Sequence, residues 1–221
     1  MGENVHSAPL TLARAGSPSA VVLATWLIGG IAIVGLDESI QPHFKAFGQS
    51  DLPNSIARYW QDMGAFPGIA LFLAAGLFTA IWDRGQTLFR FAICVALAGV
   101  VVQVIKHLVG RARPDWVQDA TRFYGPLGIW NHGPIVPIDS MPSGHTAAAF
   151  AMAVALSWRW PRARALWFVV AVGVGVSRIL VDRHFLSDVT LGALLGTVIA
   201  VAVLKRTTAA TASWDDLPTK S

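Results

Sequence analysis

Three short segments of this chain combine residue types that can bind and cleave a phosphate ester. They read KHLVGRARP at 106–114, PSGH at 142–145 and SRILVDRHFLSD at 177–188. Most of the remaining sequence is apolar, as in membrane-spanning segments. Charged and histidine side chains are costly inside a membrane and are usually functional there. The three segments therefore predict a site for phosphate chemistry, and their setting suggests a lipid phosphate as the substrate.

Three cations in these segments suit a phosphoryl group. Lys106, Arg113 and Arg178 can stabilise the negative charge that spreads over several oxygens in the transition state. Arginine also offers planar, bidentate hydrogen bonding. Ser143 and Gly144 stand at the predicted N-terminus of a helix, where free N–H groups and the helix dipole attract anions. We predict that these five residues bind the phosphate.

Two histidines and one aspartate could supply the chemistry. His184 and Asp188 are four residues apart, so on a helix they would share one face and the carboxylate could reach imidazole Nδ1–H. That contact would leave Nε2 free as the nucleophile and stabilise a phosphohistidine. His145 would then be the general acid for the leaving group and later the base for water. This chemistry requires neither a metal nor another cofactor.

Each of these features also has an ordinary structural explanation when it is taken alone. An interfacial histidine is often structural, and arginines at helix ends commonly extend to the membrane surface. PSGH could be only a helix cap, and Ser177 could simply pack beside Arg178. The order and conjunction of all three segments favour the functional interpretation.

The composition indicates an integral membrane protein. Hydrophobic residues make up 54% of the chain and charged residues only 14%, which is too apolar for a soluble domain of this size. The net charge of +4 comes from basic residues dispersed among short loops, so nucleic acid is not an expected partner. The one cysteine, Cys94, lies in an apolar run and is expected to be a core residue.

Six apolar stretches approach the length of roughly 20 residues that a membrane-spanning helix needs. They cover residues 19–36, 64–82, 88–109, 146–158, 165–181 and 185–204. The fourth reaches spanning length only if residues 143–145 form its first turn. The predicted fold is all-α, a single six-helix transmembrane domain over residues 1–206, followed by a disordered cytoplasmic tail at 207–221. Gly192 and Gly196 predict close helix packing in the sixth span.

Two other segments allow alternatives. The first span is expected to be an uncleaved helix rather than a signal peptide, because its apolar run is long and no clear cleavage site follows. The connector at 37–63 could contain a short interfacial helix or be a solvated loop.

Alternation of six spans places all three motif segments at one membrane face. Lys106 ends the third span, His145 starts the fourth, Arg178 ends the fifth and His184 starts the sixth. The short loop with Arg159, Arg162 and Arg164 lies at the opposite face, and the positive-inside bias assigns such a loop to the cytoplasm. We therefore expect cytoplasmic termini and an extracytoplasmic site.

These motifs resemble the type 2 phosphatidic acid phosphatase superfamily, which also includes vanadium haloperoxidases. The family pattern is Lys-x6-Arg-Pro, Pro-Ser-Gly-His and Ser-Arg-x5-His-x3-Asp, and this sequence matches every fixed position. The resemblance covers the third to sixth spans. It implies that His184 is the nucleophile, Asp188 its orienting residue and His145 the acid and base, with the phosphate pocket formed by Lys106, Arg113, Ser143, Gly144 and Arg178.

The resemblance implies a bacterial inner-membrane lipid phosphatase acting on a phosphate monoester or diphosphate. Phosphatidic acid, phosphatidylglycerol phosphate, undecaprenyl diphosphate and lipid A phosphates all remain candidate substrates, with the lipid and the bilayer as the expected partners. The same phosphohistidine could instead serve a lipid phosphotransferase. A vanadate-dependent haloperoxidase and a non-catalytic membrane scaffold are further alternatives. Oligomeric state is not predicted.

Overall fold

The computed structural model describes residues 29, 32–63, 86–117, 119–129 and 136–215. The predicted second span and nearly all of the first lie outside these ranges. Regular structure in the described residues is helical, and its one β-type pairing is a single bridge between Arg111 and Phe123. The α-helices named within the described residues are α1 (Asp37–Gly48), α2 (Asp51–Met63), α3 (Gln86–Val109), α4 (Gly144–Arg159), α5 (Arg164–Leu180) and α6 (Leu186–Asp215).

Three helical segments of the described residues are long and apolar enough to cross a membrane. They are Thr87–Val109, Pro161–Leu180 and Leu186–Thr207, and they correspond to the third, fifth and sixth predicted spans. Helix α4 does begin within the PSGH motif, but it has only 16 residues. At about 1.5 Å per residue it is roughly 24 Å long, shorter than a bilayer core of about 30 Å. The all-α membrane fold is confirmed, whereas the described residues do not establish the count of six spans.

Helix α4 is the centre of the bundle and packs against α3, α5 and α6. Small side chains make this possible, because alanines line much of its buried surface. Two glycines of α6 also face it: a Cβ on Gly192 would lie 2.5 Å from the Ser143 carbonyl oxygen, and a Cβ on Gly196 would collide with the Ala147 carbonyl. The close packing predicted from these glycines is confirmed. Cys94 is fully buried, as expected of a core residue.

The outward faces of α3 and α5 are apolar and exposed, as in helices that face lipid. The exposed residues include Phe89, Val100, Val104, Leu108, Leu166, Val169 and Val172. No other described element covers these stripes in the isolated chain. They agree with the membrane location that the composition predicts.

The connector at 37–63 forms the two helices α1 and α2, so the alternative of an irregular loop is wrong. Both helices pack against α5. Gly48 lies so close to the Leu180 carbonyl that a Cβ there would collide with it, and Trp60 packs over Gly173 in the same manner. These two helices thereby support the end of α5 that carries part of the predicted site.

The C-terminal helix begins one residue after the start of the predicted span and ends well beyond its predicted end. It begins at Leu186, after His184, and it continues to Asp215. The sequence predicts disorder from residue 207, whereas the structure continues the helix through residues 207–215. The remaining residues, 216–221, lie outside the described ranges. Thr207 Oγ1 donates to the Val203 carbonyl, so the i,i+4 pattern continues across the predicted boundary.

Candidate active site

The first motif segment turns sharply where α3 ends. Lys106 lies in the last turn of α3 and is buried. Gly110 then adopts a φ of 61°, donates its N–H to the Lys106 carbonyl at 2.9 Å, and leaves no space for a Cβ beside Gly125. Such a left-handed residue after a helix is usually glycine. The turn directs Arg113 back toward the end of α3 from which the chain has just emerged.

The second segment forms the N-terminus of α4. Ser143 is the extended residue before the helix, fully buried, and its hydroxyl oxygen accepts a 2.9 Å bond from Thr146 Oγ1. The first intrahelical bond is from Ala147 N–H to the Ser143 carbonyl. The N–H groups of Gly144 and His145 precede that bond, so they point out of the helix end and are available to an anion. Ser143 N–H itself donates to the Asp188 carbonyl at 2.9 Å.

The third segment is a tight turn that fixes His184 against the end of α5. The backbone N–H groups of Arg183 and His184 both donate to the Arg178 carbonyl, at 3.1 and 3.2 Å. The Arg178 and His184 side chains are both buried. Arg178 thus contributes a cation to the candidate site through its side chain and holds the predicted nucleophile through its backbone carbonyl.

His184 and Asp188 are close, but not through the helical geometry that their spacing predicts. Because α6 begins only at Leu186, the aspartate reaches back across the helix start, where its Oδ2 accepts the Phe185 N–H at 2.9 Å. An acidic side chain at the third position of a helix often accepts the backbone N–H of the residue just before the helix in this way. His184 Nδ1 lies 3.7 Å from Asp188 Oδ2, longer than a direct hydrogen bond.

The predicted residues other than Ser177 meet at one end of the bundle. Lys106, Arg113, Arg178 and His184 all lie near enough to His145 to act on it electrostatically. Ser143 and Gly144 adjoin His145 in sequence, and Asp188 contacts both Ser143 and His184. Ser177 is buried, and its hydroxyl donates to the Val174 carbonyl of its own helix at 2.6 Å. That side chain is therefore engaged away from the phosphate-binding groups.

Burial controls the charge of His184. It lowers the pKa of this imidazole from the ordinary value of 6.5 to about 4, although the nearby Asp188 acts in the opposite direction. Lys106 and Arg178 add smaller contributions that also lower the pKa. The ring is consequently neutral at physiological pH, which is the form that can act as a nucleophile.

Asp139 is a site residue that the sequence analysis did not identify. Its carboxylate accepts two hydrogen bonds from Arg113, from Nε at 2.8 Å and from Nη2 at 2.7 Å, and its carbonyl accepts one from Lys106 Nζ at 2.6 Å. Partial burial acts to raise the pKa of Asp139, but the Arg113 contacts outweigh it and hold the pKa below its usual range. Asp139 orients two of the predicted phosphate-binding cations. Nothing in its local sequence distinguishes it from other loop aspartates.

A second group missed by the sequence analysis lies beneath His184. Arg111 is fully buried and donates to Asp188 Oδ1 at 2.6 Å and to Asp37 Oδ2 at 2.8 Å. Ser140 donates to the other Asp188 oxygen, Oδ2, at 2.6 Å. Arg111 was not among the predicted site residues, although its position inside the first motif segment was an available signal. Asp37 is 74 residues from Arg111 along the chain and offered no such signal.

Comparison with known proteins places this site in a family. Residues 87–212 match the model of the PAP2 superfamily. The chain belongs to this superfamily. The matched range contains every residue predicted for the site, from Lys106 to Asp188, and excludes Asp37.

Curated relatives cover part of this chain. A lipid A 1-phosphatase of Rhizobium etli is 31% identical over 102 residues, which are 46% of this chain and 42% of that protein. The bacitracin transport permease protein BcrC of Bacillus licheniformis is 32% identical over 136 residues, 60% of this chain and 63% of that protein. The chain therefore spans only about two fifths of the length of the lipid A 1-phosphatase.

Two solved structures share the fold. LpxE of Aquifex aeolicus superposes with a TM-score of 0.61 at 23% identity, covering 77% of this chain and 95% of that chain. A transmembrane PAP2-type phosphatidylglycerolphosphate phosphatase of Bacillus subtilis gives a TM-score of 0.67 at 21% identity, covering 87% and 96%. Together with the three helices of spanning length, this shared fold identifies the chain as an integral membrane protein.

Proposed function

We propose that this protein is a membrane lipid phosphatase that hydrolyses a phosphate monoester or diphosphate through a phosphohistidine. The observation that carries the proposal is the meeting of three cations, a helix N-terminus and a buried neutral histidine at one end of the bundle. This combination provides an anion site beside a nucleophile. Membership of the PAP2 superfamily supports the same conclusion.

The residues have distinct roles in this reaction. His184 Nε2 attacks phosphorus, and the bond from phosphorus to the lipid oxygen or to the leaving phosphate breaks as His145 protonates that oxygen. Asp188 stabilises the ring as it becomes positively charged. His145 then takes a proton from water, which attacks the phosphohistidine, releases inorganic phosphate and restores His184.

Charge stabilisation comes from the surrounding groups. Lys106, Arg113 and Arg178 neutralise the phosphoryl oxygens, and the helix start at Ser143 and Gly144 supplies a hydroxyl and backbone N–H donors. Because the site is buried among helices, these interactions are stronger than they would be in water. Every one of these groups belongs to the chain itself, and the scheme needs no metal or cofactor.

We place the site at the extracytoplasmic face of a bacterial inner membrane. The basic loop at 159–164 lies at the end of α4 opposite to His145, and the positive-inside bias supports a cytoplasmic position for it. The substrate would then be a phosphorylated lipid of the outer leaflet. Relatives named as lipid A 1-phosphatases make lipid A a leading candidate beside the other three lipids.

The experiment is a panel assay of the purified protein in detergent. Inorganic phosphate release is measured from lipid A, undecaprenyl diphosphate, phosphatidylglycerol phosphate and phosphatidic acid. His184→Ala is expected to lose at least about 10³-fold in rate, since it removes the nucleophile. His107→Ala, which removes an exposed histidine of α3, is the matched control and should retain wild-type activity.

Three results would contradict the proposal. Wild-type protein that releases no phosphate from any of the four lipids would refute the hydrolase. Transfer of the phosphoryl group to an added lipid acceptor, without release of inorganic phosphate, would establish a phosphotransferase instead. Unchanged release by His184→Ala would remove the phosphohistidine from the mechanism.

A further inference from the structure

The buried carboxylate of Asp37 shares one arginine with the catalytic machinery. Arg111 Nη2 donates to Asp37 and Nη1 donates to Asp188, and all three side chains are completely inaccessible to solvent. The guanidinium also packs 4.3 Å from the centre of the Phe185 ring. Its remaining donors are directed to the Ala120 carbonyl and the Ser187 hydroxyl. Arg111 therefore lies between two carboxylates, only one of which is near the predicted nucleophile.

Asp37 also holds the start of α6. Its Oδ1 accepts the backbone N–H of Ser187 at 3.0 Å, and the Ser187 hydroxyl donates to its Oδ2. A carboxylate at this position stabilises a helix N-terminus by satisfying a free N–H and by interacting with the helix dipole. Asp37 is the first residue of α1, so the helix that begins two residues after the predicted nucleophile is capped by a residue from a distant part of the chain.

The charges of this group explain why a second carboxylate is useful. Asp37 and Asp188 contribute two negative charges and Arg111 one positive charge, which leaves one negative charge beside a neutral His184. If Asp37 were neutral, Arg111 would be balanced by Asp188 alone. Asp188 would then stabilise a positive imidazole ring less effectively, because buried charges interact strongly over short distances.

We propose that Asp37 is a positioning residue for catalysis, which balances Arg111 so that the charge of Asp188 is available to His184. This inference rests on the proposed phosphohistidine mechanism. As His184 Nε2 bonds to phosphorus and the bond to the leaving oxygen breaks, the ring acquires positive charge and the whole group becomes neutral. Asp37 acts through Arg111 and Asp188 and contacts neither the substrate nor His184.

The test is the nearly isosteric substitution Asp37→Asn in the full-length protein. We expect kcat to fall by about 10-fold to 100-fold, which is the usual effect of losing a residue that positions a reacting group through another side chain. KM should change by less than about twofold. KM should be preserved because Lys106, Arg113 and Arg178 are untouched. Glu38→Gln is the matched control, since Glu38 is the next residue and is exposed. The glutamine amide oxygen can still accept the Ala120 N–H that Glu38 Oε1 accepts, so kcat should be unchanged.

A double-mutant cycle separates this role from general destabilisation. If Asp37 acts through Asp188, adding Asp37→Asn to Asp188→Asn should lower kcat by less than about twofold. Asp37→Ser, which removes the charge but keeps a small polar side chain, replaces Asp37→Asn if the latter does not fold. Asp37→Glu, which keeps the charge, should recover most of the lost kcat.

Orthovanadate binding provides a measurement that does not depend on the lipid. Vanadate resembles the phosphoryl transition state, and Asp37→Asn should weaken its binding by about 10-fold. If the wild type hydrolyses none of the four lipids but the variant shows this loss, the proposed substrate class fails and the role of Asp37 stands. Wild-type kcat and vanadate affinity in Asp37→Asn would overturn the inference, as would a full multiplied loss in the double mutant.

Discussion

Two arginines only two positions apart in one motif segment occupy opposite environments. Arg111 is fully buried and bonds to the carboxylates of Asp37 and Asp188. Arg113 retains 21% of its side-chain exposure and bonds to Asp139, whose own side chain is 48% exposed. The first belongs to the buried charge group beneath His184, and the second belongs to the predicted phosphate pocket.

The difference shows that an arginine side chain can support the candidate site in two ways. A buried arginine between two buried carboxylates stabilises the fold around the predicted nucleophile, because removing one partner leaves uncompensated charge. A partly exposed arginine with one half-exposed partner costs little to release, so it can also bind a ligand. The following predictions test this division between the buried group and the pocket.

The largest effect should come from replacing each arginine with methionine. Arg111→Met leaves two buried carboxylates without a counter-charge, and we expect it to destabilise the protein by about 3–5 kcal/mol. Arg113→Met should change stability by less than about 1 kcal/mol but lower kcat/KM by about 100-fold, as for a lost transition-state donor. Thermal unfolding in detergent and phosphate-release kinetics check the two parts.

The two substitutions serve as controls for each other, since each removes one guanidinium group from the same motif segment. Equal destabilisation by both would contradict the division between a buried group and a pocket. A folded and fully active Arg113→Met protein would exclude Arg113 from phosphate binding.

A smaller effect should appear as a pH dependence of stability. The folded state holds the pKa of His184 at about 4, whereas the ordinary value is 6.5, so the unfolded chain binds this proton more readily. Stability from the neutral ring is therefore complete above pH 6.5 and is lost as the pH falls toward 4, by about 3 kcal/mol in total. His184→Gln should flatten the stability profile across this interval.

The same substitution at exposed His107 is the matched control, and its profile should follow that of the wild type. Stability is measured by denaturation in buffered detergent from pH 7 to pH 4. A His184→Gln profile as steep as the wild type would show that this histidine is not the group whose burial opposes protonation.

The smallest of these effects tests the contact between α6, which carries Asp188, and the start of α4 at Ser143. Gly192 of α6 faces the Ser143 carbonyl of α4, and an added Cβ would lie 2.5 Å from that oxygen. Gly192→Ala should therefore separate the helices and destabilise the protein by about 1–3 kcal/mol, with a loss of activity because Ser143 moves. Thermal unfolding and phosphate release on the same samples measure both consequences.

Gly99→Ala is the control for this substitution, because a Cβ at Gly99 meets nothing within 4 Å. Removing a glycine from an exposed helical position should stabilise the protein by about 1 kcal/mol. If Gly192→Ala behaved like Gly99→Ala, the close approach of α4 and α6 would not be required for the site.

Local patterns in the sequence predicted much of the fold. Long apolar runs predicted α3, α5 and α6 because a bilayer-spanning helix must be apolar over most of its length. Glycine spacing predicted close helix packing in α6, and the structure shows that the partner is α4. The two helices at 37–63 were harder to predict, because amphipathic segments of this size owe their helical structure mainly to packing.

The sequence by itself determined the chemistry available to this protein. The types and spacing of Lys106, Arg113, His145, Arg178 and His184 predicted a phosphate site, because few other ligands suit several cations beside two histidines. Their order along alternating apolar spans also predicted that they would meet at one end of the bundle.

Only the tertiary structure decided which neighbouring charges support that site. Asp37, Asp139 and Ser140 carry no distinctive local pattern, and Arg111 is marked only by its place inside the first motif segment. All four join the site through contacts between distant segments. The turn at His184 likewise replaced the predicted helical pairing with Asp188 by a contact across the helix start. Such contacts depend on burial and on long-range packing, which spacing along a chain does not encode.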